Sequence, residues 1–125
     1  MKTYLPDTNV FSRIFKGDAQ LKHFIETNLS VVCSTIYIEN TQGSKSNREK
    51  HFIKRYLDNF PLLLVDNDTS AKAVNLIDSY SNTHGLLLAD AQIAATALEN
   101  DLTVLTYNIA DFQFINDLKC EKPPI

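Results

Sequence analysis

Apolar positions along the chain form short continuous runs separated by stripes with helical spacing. Residues 29–33, 62–65 and 102–106 are runs of strand length, and a first strand is expected within residues 1–6. Runs without polar alternation are typical of parallel strands that are buried on both faces. The pattern therefore predicts an α/β fold, a three-layer α/β/α sandwich with a central parallel sheet.

Helical stripes occupy the segments between these runs. Gly17 and Asp18 divide two short stripes, which predicts a helical hairpin after the first strand. Gly43 is expected to end a helix that carries Glu39, and Pro61 is expected to stop a longer stripe. Later in the chain, residues 66–68 supply N-cap candidates, residues 81–85 predict a loop, residues 90–98 predict a helix, and a helical turn is expected near residue 111.

Composition predicts one compact domain spanning residues 1–125, since 44% hydrophobic and 22% charged residues are ordinary globular usage. No apolar run approaches the roughly 20 residues that cross a bilayer, and the first residues do not resemble a signal peptide, so we expect a cytoplasmic location without membrane contact. Cys33 and Cys120 lack metal-ligand spacing, and neither is expected in a disulfide; Cys33 is predicted to be a core residue.

The net charge of −3 argues against a protein that coats nucleic acid. Five basic residues nevertheless fall within one short segment, and they have two interpretations: contacts to RNA phosphates, or the solvated face of an amphipathic helix. These residues are Lys45, Arg48, Lys50, Lys54 and Arg55.

Four acidic residues lie where an apolar run ends or a helix begins: Asp7, Glu39, Asp90 and Asp111. The carboxyl ends of parallel strands and the N-termini of the following helices meet at one edge of an α/β sheet. We therefore expect the four carboxylates to converge there.

Such a cluster favours hard divalent cations, because Mg²⁺ and Mn²⁺ prefer oxygen ligands and carboxylates close together repel one another without a cation. The chemistry that follows is hydrolysis of a phosphodiester bond by a metal-activated water. General acid–base chemistry by paired histidines is not indicated, since His23, His51 and His84 show no pairing.

Each of the four also has an ordinary structural interpretation, the three aspartates as helix caps and Glu39 as a solvent-facing residue. Three further aspartates, which we interpret only as caps or loop residues, show that position alone does not identify a ligand: Asp66, Asp68 and Asp101.

Polar neighbours of the acidic residues are candidates for hydrogen bonds to a ligand carboxylate or to a metal-bound water. They are Thr8, Asn9, Thr106 and Asn108. The same residue types also shape turns, so both roles stay open.

Four segments, in this order and spacing, resemble the PIN-domain ribonucleases, and the short chain resembles the VapC-type toxins of bacterial toxin–antitoxin pairs. The segments are residues 5–10 (LPDTNV), 39–43, 90–97 (DAQIAATA) and 105–112 (LTYNIADF). The resemblance covers nearly the whole chain. Two features depart from it: Pro6 stands where an apolar strand residue is usual, and the segment after Phe112 is less clearly a strand.

The resemblance implies that Asp7, Glu39, Asp90 and Asp111 bind Mg²⁺ or Mn²⁺, with Thr106 and Asn108 near the metal. It also implies endonucleolytic cleavage of RNA that leaves a 5′-phosphate and a 3′-hydroxyl, a homodimer, and inhibition by a small antitoxin whose tail inserts near the active site.

Two alternatives compete with this function. A receiver-like signalling domain also has an acidic pocket, but it requires an acidic pair after the first strand and a lysine after the last, where this chain has Asp7 alone and Asp111. A PIN-like binding subunit without activity stays open, although four retained carboxylates argue against it. Cleavage of DNA also stays chemically possible, because attack by activated water needs no 2′-hydroxyl.

Overall fold

The computed structural model describes residues 2–125, so Met1, in the first predicted strand segment, lies outside it. Strands and helices follow one another in the predicted order, with two helices between successive strands up to β4. The elements are β1 (Tyr4–Pro6), α1 (Thr8–Phe15), α2 (Ala19–Thr27), β2 (Val32–Cys33), α3 (Ser34–Gln42), α4 (Asn47–Leu57), β3 (Leu62–Leu63), α5 (Asn67–His84), α6 (Leu88–Asn100), β4 (Thr103–Leu105), a 3₁₀ turn (Ile109–Asp111) and β5 (Lys119–Glu121).

All strand pairs are parallel, in one sheet of order β1-β4-β5 and a second sheet of β2 and β3. A parallel bridge between Tyr4 and Ser30 joins the two, which places the strands in the order β3-β2-β1-β4-β5. The predicted α/β/α fold with a central parallel sheet is confirmed. Because every strand runs in the same direction, the segments that follow β1 and β4 emerge at one edge of the sheet.

The core forms where the central strands meet the helices. Leu5 of β1 and Val104 of β4 are completely buried, as is Phe11 of α1. On α6, Ala91 and Ala94 are also fully buried, and such small side chains allow this helix to pack closely on its neighbours. The first turns of α1 and α6 are thereby fixed against the sheet edge.

Pro6 fits its strand without breaking the backbone hydrogen bonds between β1 and β4. It lies opposite Leu105 in the parallel register, and the backbone N–H of the next residue, Asp7, donates to the carbonyl oxygen of Leu105 at 2.8 Å. The missing donor of Pro6 is therefore placed where the strand gives way to α1. The segment after Phe112 does contain a strand, β5, which pairs with β4.

Two sequence predictions are wrong. Residues 81–84 belong to α5, which ends at Gly85 with a left-handed φ of 71°, so the predicted loop is confined to a few residues before α6. The run 62–65 was expected to be a buried strand, but its strand is only Leu62–Leu63 and Leu64 is 66% exposed. β3 pairs only with β2 and therefore lies at a sheet edge, where a run of leucines is not covered on both faces.

Cys33 and two of the predicted helix caps lie where the sequence places them. Both cysteines are unpaired, and Cys33 is buried in the core. Gly43 caps the C-terminus of α3, and Asp66 caps the N-terminus of α5. Within residues 2–125, none of the helices combines the length and the apolar character needed to cross a bilayer.

Candidate active site

Asp7 connects β1 to α1 and is held by three hydrogen bonds. Its Oδ1 accepts from the backbone N–H of Thr8 at 2.8 Å, which makes Asp7 the N-cap of α1. Its Oδ2 accepts from Thr106 Oγ1 at 2.9 Å and from Asn9 Nδ2 at 3.3 Å. Only 7% of Asp7 is exposed, so this carboxylate is held in one orientation.

Glu39 is brought to α1 by a side-chain hydrogen bond. It lies in the second turn of α3, and its Oε1 accepts from Thr8 Oγ1 at 2.6 Å. Thr8 therefore contacts two of the predicted acidic residues, Asp7 through its backbone and Glu39 through its hydroxyl. This contact fixes the separation between α1 and α3 at the site.

Asp90 and Asp111 occupy the other two elements. Asp90 lies in the first turn of α6, which begins two residues earlier at Leu88, so it is not the N-cap of that helix. Asp111 is the last residue of the 3₁₀ turn after β4, and Asn108 is the residue before that turn. The alternative interpretation as a helix cap therefore holds for Asp7 and fails for these two aspartates.

All four carboxylates line one open cavity of about 470 Å³. Thr8, Asn9 and Asn108 line it as well, and Thr106 lies buried behind Asp7. The backbone N–H of Asn108 donates to Thr106 Oγ1 at 3.0 Å, which links this loop to Asp7 through one hydroxyl. Across residues 2–125, no three His, Cys, Asp or Glu side chains are grouped closely enough to hold an ion among them.

The carboxylates nevertheless perturb one another. The pKa of Asp90 is raised to about 6, first by burial and then by the negative charges of Asp7, Asp111 and Glu39. Burial also raises the pKa of Asp7, while the hydrogen bonds from Thr8 and Thr106 lower it and the charges of Glu39 and Asp111 raise it. A cavity of this kind favours a bound cation or a bound proton.

The donor set fits a hard divalent cation. Every predicted ligand is a carboxylate, and the flanking side chains are hydroxyls and amides, which is the oxygen chemistry that Mg²⁺ and Mn²⁺ prefer. Mg²⁺ typically takes only one or two carboxylates and keeps several waters, so it does not need three carboxylates in mutual contact. The open cavity leaves room for those waters.

Four further residues of this cavity were missed by the sequence analysis: Ser12, Arg13, Lys16 and Tyr107. The first three follow Asn9 at helical spacing, Ser12 and Arg13 on α1 and Lys16 as its C-cap residue. Polar residues that recur with a helical period on the side of α1 opposite its apolar stripe are the signal in the sequence that could have identified these three residues.

The predicted basic segment is divided by the structure. Lys45 lines a second cavity of about 480 Å³, which adjoins the first because both contain Thr8 and Glu39. Arg48 and Arg55 line a different hollow on α4. Lys50 lies on α4 and lines a hollow with the turn before that helix, and Lys54 lies in the last turn of the same helix. Only Lys45 among the five therefore lies beside the acidic cavity.

Comparison with protein families gives a match to the PIN domain over residues 4–113. Among curated proteins, the sequence matches none.

Three solved structures are similar over nearly their whole length. A chain of a toxin-antitoxin complex from Klebsiella pneumoniae is 26% identical, with a TM-score of 0.77 over 91% of this chain and 93% of that chain. A chain of DNA-bound VapBC from Salmonella typhimurium is 21% identical, with a TM-score of 0.84 over 98% of each chain. A chain of VapBC2 from Rickettsia felis, bound to a DNA fragment from its promoter, is 20% identical, with a TM-score of 0.81 over 96% of this chain and 98% of that chain.

Proposed function

The chain belongs to the PIN domain family, and from this premise we propose that it is a metal-dependent endoribonuclease, the VapC-type toxin of a toxin–antitoxin pair. Membership in the family supports a nuclease in general. The observation that carries the finer proposal is the single cavity lined by Asp7, Glu39, Asp90 and Asp111, in which the charges of the other three help to raise the pKa of Asp90 to about 6.

In this proposal the four carboxylates bind Mg²⁺ or Mn²⁺, one or two of them directly and the others through waters that the ion keeps. When bound, the ion supplies activation of a water molecule and neutralisation of charge on the leaving oxygen. Thr106 and Asn9 orient Asp7, and Thr8 orients Glu39, through the hydrogen bonds described above. Asn108 faces the same cavity and is proposed to hydrogen-bond the substrate or an ordered water. No side-chain nucleophile is required.

The experiment is cleavage of a labelled single-stranded RNA by the purified chain, expressed without any antitoxin. We expect cleavage with Mg²⁺ or Mn²⁺, loss of cleavage with EDTA, and loss in Asp7→Asn and Asp90→Asn proteins that keep the native circular dichroism spectrum. Asp101→Asn is the matched control, because Asp101 is an exposed aspartate that pairs with Lys119 outside the cavity. Its left-handed φ of 53° is tolerated by Asn, so the substitution removes only the charge. Cleavage that survives EDTA or Asp90→Asn would contradict the proposal.

We also propose a small antitoxin as partner, since similar structures come from toxin–antitoxin complexes. The second cavity supports a site for its tail. It runs from Glu39 to Phe52, which is 60% exposed, and the half-buried Phe15 adds apolar surface. A peptide placed there would cover Lys16, which lines both cavities, and would therefore obstruct the acidic site.

A homodimer acting on RNA in the cytoplasm completes the proposal. An apolar hollow of about 300 Å³ between α5 and α6 supports the dimer, because Val74 and Leu88 beside it are each 68% exposed. Exposed apolar surface of this kind marks interaction sites in many proteins.

A further inference from the structure

Helix α1 adds positive charge to the rim of the acidic cavity. Arg13 and Lys16 line the cavity together with all four carboxylates, and Lys16 also lines the neighbouring cavity. The Arg13 side chain is 51% exposed, whereas Asp7 is only 7% exposed, so the positive charge lies nearer to solvent than this carboxylate. A polyanion that approaches the site therefore meets these cations, together with the exposed Asp111, before it meets Asp7.

Arg13 is held in place by an aromatic ring. Its guanidinium carbon lies 4.4 Å from the centroid of the Tyr107 ring, and Nη2 donates to Asp18 Oδ2 at 3.4 Å. Tyr107 is itself fixed, because its backbone N–H donates to Asn9 Oδ1 at 3.3 Å. The pair of Arg13 and Tyr107 thus joins α1 to the loop after β4. Asp7, the N-cap of α1, contacts both of these segments.

The pair retains binding capacity for a nucleic acid. A guanidinium carries five N–H donors in a planar fork, and the contact with Asp18 involves one of its nitrogens. Arginine planes and tyrosine rings are surfaces on which unpaired bases stack. The Lys16 ammonium, one helical turn from Arg13, supplies a second point charge for phosphate.

We propose that Arg13 and Lys16 bind backbone phosphates of single-stranded RNA and that the Arg13–Tyr107 pair stacks on a neighbouring base, so that the strand is held across the four carboxylates. The inference rests on the proposed nuclease function and names the residues that position its substrate. The two cations offset the repulsion between a polyanion and an acidic cavity in a chain whose net charge is −3.

The test is binding of a short, fluorescein-labelled, single-stranded RNA of mixed sequence to the Asp90→Asn protein, measured by anisotropy over a range of salt concentrations. Adding Arg13→Ala and Lys16→Ala together is expected to weaken binding at least tenfold. It is also expected to reduce the slope of log K against log salt by about 1.4, or about 0.7 for each phosphate that the protein no longer neutralises. Lys72→Ala, on α5 and outside both cavities, should change neither quantity.

Tyr107 is tested by two substitutions in the same assay. Tyr107→Phe keeps the ring and should keep the affinity, whereas Tyr107→Ala should lose roughly tenfold without a change in salt slope, because stacking is not an ionic contact. Arg13→Lys should keep the salt slope. Arg13→Gln and Lys16→Gln replace the alanine variants if the latter fail to give the native circular dichroism spectrum.

Cleavage kinetics separate failure of this inference from failure of the nuclease proposal. With Asp90 intact, the Arg13→Ala, Lys16→Ala protein should show a raised KM and a nearly unchanged kcat. Active wild-type protein with an unchanged salt slope in the double variant would overturn the inference alone. Wild-type protein that neither cuts nor binds RNA would overturn both.

Discussion

At the scale of single residues, the surroundings of Asp90 destabilise its charged form. Its pKa in the folded protein is raised to about 6 from 3.8, by burial first and then by the charges of Asp7, Asp111 and Glu39. Because the folded-state pKa is the higher one, this carboxyl favours folding fully below about pH 3.8, and the contribution is lost as the pH rises through about 6. The metal-free site therefore costs stability at neutral pH.

Replacing the charge should recover that stability. We expect Asp90→Asn to raise the free energy of unfolding of the metal-free protein at pH 7.5 by about 1–2 kcal/mol, since water around this half-buried carboxyl screens part of the charge effect, and to have much less effect near pH 4. Urea denaturation in EDTA at the two pH values measures the difference. Asp101→Asn should give no such gain, and an equal effect of Asp90→Asn at both pH values would refute the electrostatic explanation.

The Thr106 hydroxyl is predicted to be essential for the orientation of Asp7. Thr106 is fully buried, donates to Asp7 and accepts from the backbone N–H of Asn108. Thr106→Val keeps the shape but removes these hydrogen bonds, and we expect a loss of about 10- to 100-fold in cleavage rate or metal affinity. Thr106→Ser retains the hydroxyl and should keep most of the activity, so equal losses in both variants would point to packing instead.

The sequence predicted that the four acidic residues converge, because a parallel sheet brings the positions that follow its strands to one edge, and all four line one cavity. It predicted that Thr106 could hydrogen-bond a carboxylate of the site, but not that the partner is Asp7, 99 residues away. It also did not predict the contact of Arg13 with the Tyr107 ring. Such contacts depend on how α1 is rotated against the loop after β4. This rotation cannot be predicted from the periodicity of α1 or from the composition of that loop.

At the scale of elements, the helices with clear apolar stripes were predicted well, and errors arose where tertiary packing overrides local preference. The polar end of α5 contains residues with weak helix propensity, which predicted a loop. In the structure His84 stacks on Phe114 at 4.3 Å between ring centroids, and Tyr80 packs on the same ring at 5.3 Å. These contacts with the segment before β5 extend the helix by a turn that its own sequence does not favour.

Gly85 ends α5 and sets the direction of the short segment that leads to Asp90. Its φ of 71° is left-handed, and a Cβ at this position would meet no atom within 4 Å, so the cost of a side chain is conformational only. We expect Gly85→Ala to destabilise the protein by about 1 kcal/mol in urea denaturation, and Gly85→Asn to cost less, because Asn tolerates this region. Similar losses for both would show that the cost is steric.

At the scale of the whole molecule, alternation of strands and helices was enough to predict the parallel sandwich. The position of each strand within the sheet was not predictable, because a run of leucines gives the same sequence pattern in a central strand and in an edge strand. In the structure β3 lies at the edge. The single domain spanning residues 1–125 and the roles of the acidic residues stay predictions.

The exposed hollow between α5 and α6 leads to a prediction about assembly. If two copies bury this surface, Val74→Glu should convert a dimer into a monomer in sedimentation velocity experiments. Leu29→Glu is the control, because Leu29 is also exposed, at 53%, but follows α2 on another part of the chain. A monomeric wild type, or a dimer that survives Val74→Glu, would contradict this interface.

The central claim, that the acidic cavity hydrolyses RNA with activated water, is tested most directly by the ends of the fragments. In the proposed reaction water attacks the phosphorus and the 3′-oxygen leaves, so mass spectrometry of a short RNA cut by the wild-type protein with Mn²⁺ should find 5′-phosphate and 3′-hydroxyl ends. No 2′,3′-cyclic phosphate should form, because the 2′-hydroxyl takes no part in the reaction. Fragments with 2′,3′-cyclic phosphates, or the absence of any fragments, would contradict the account.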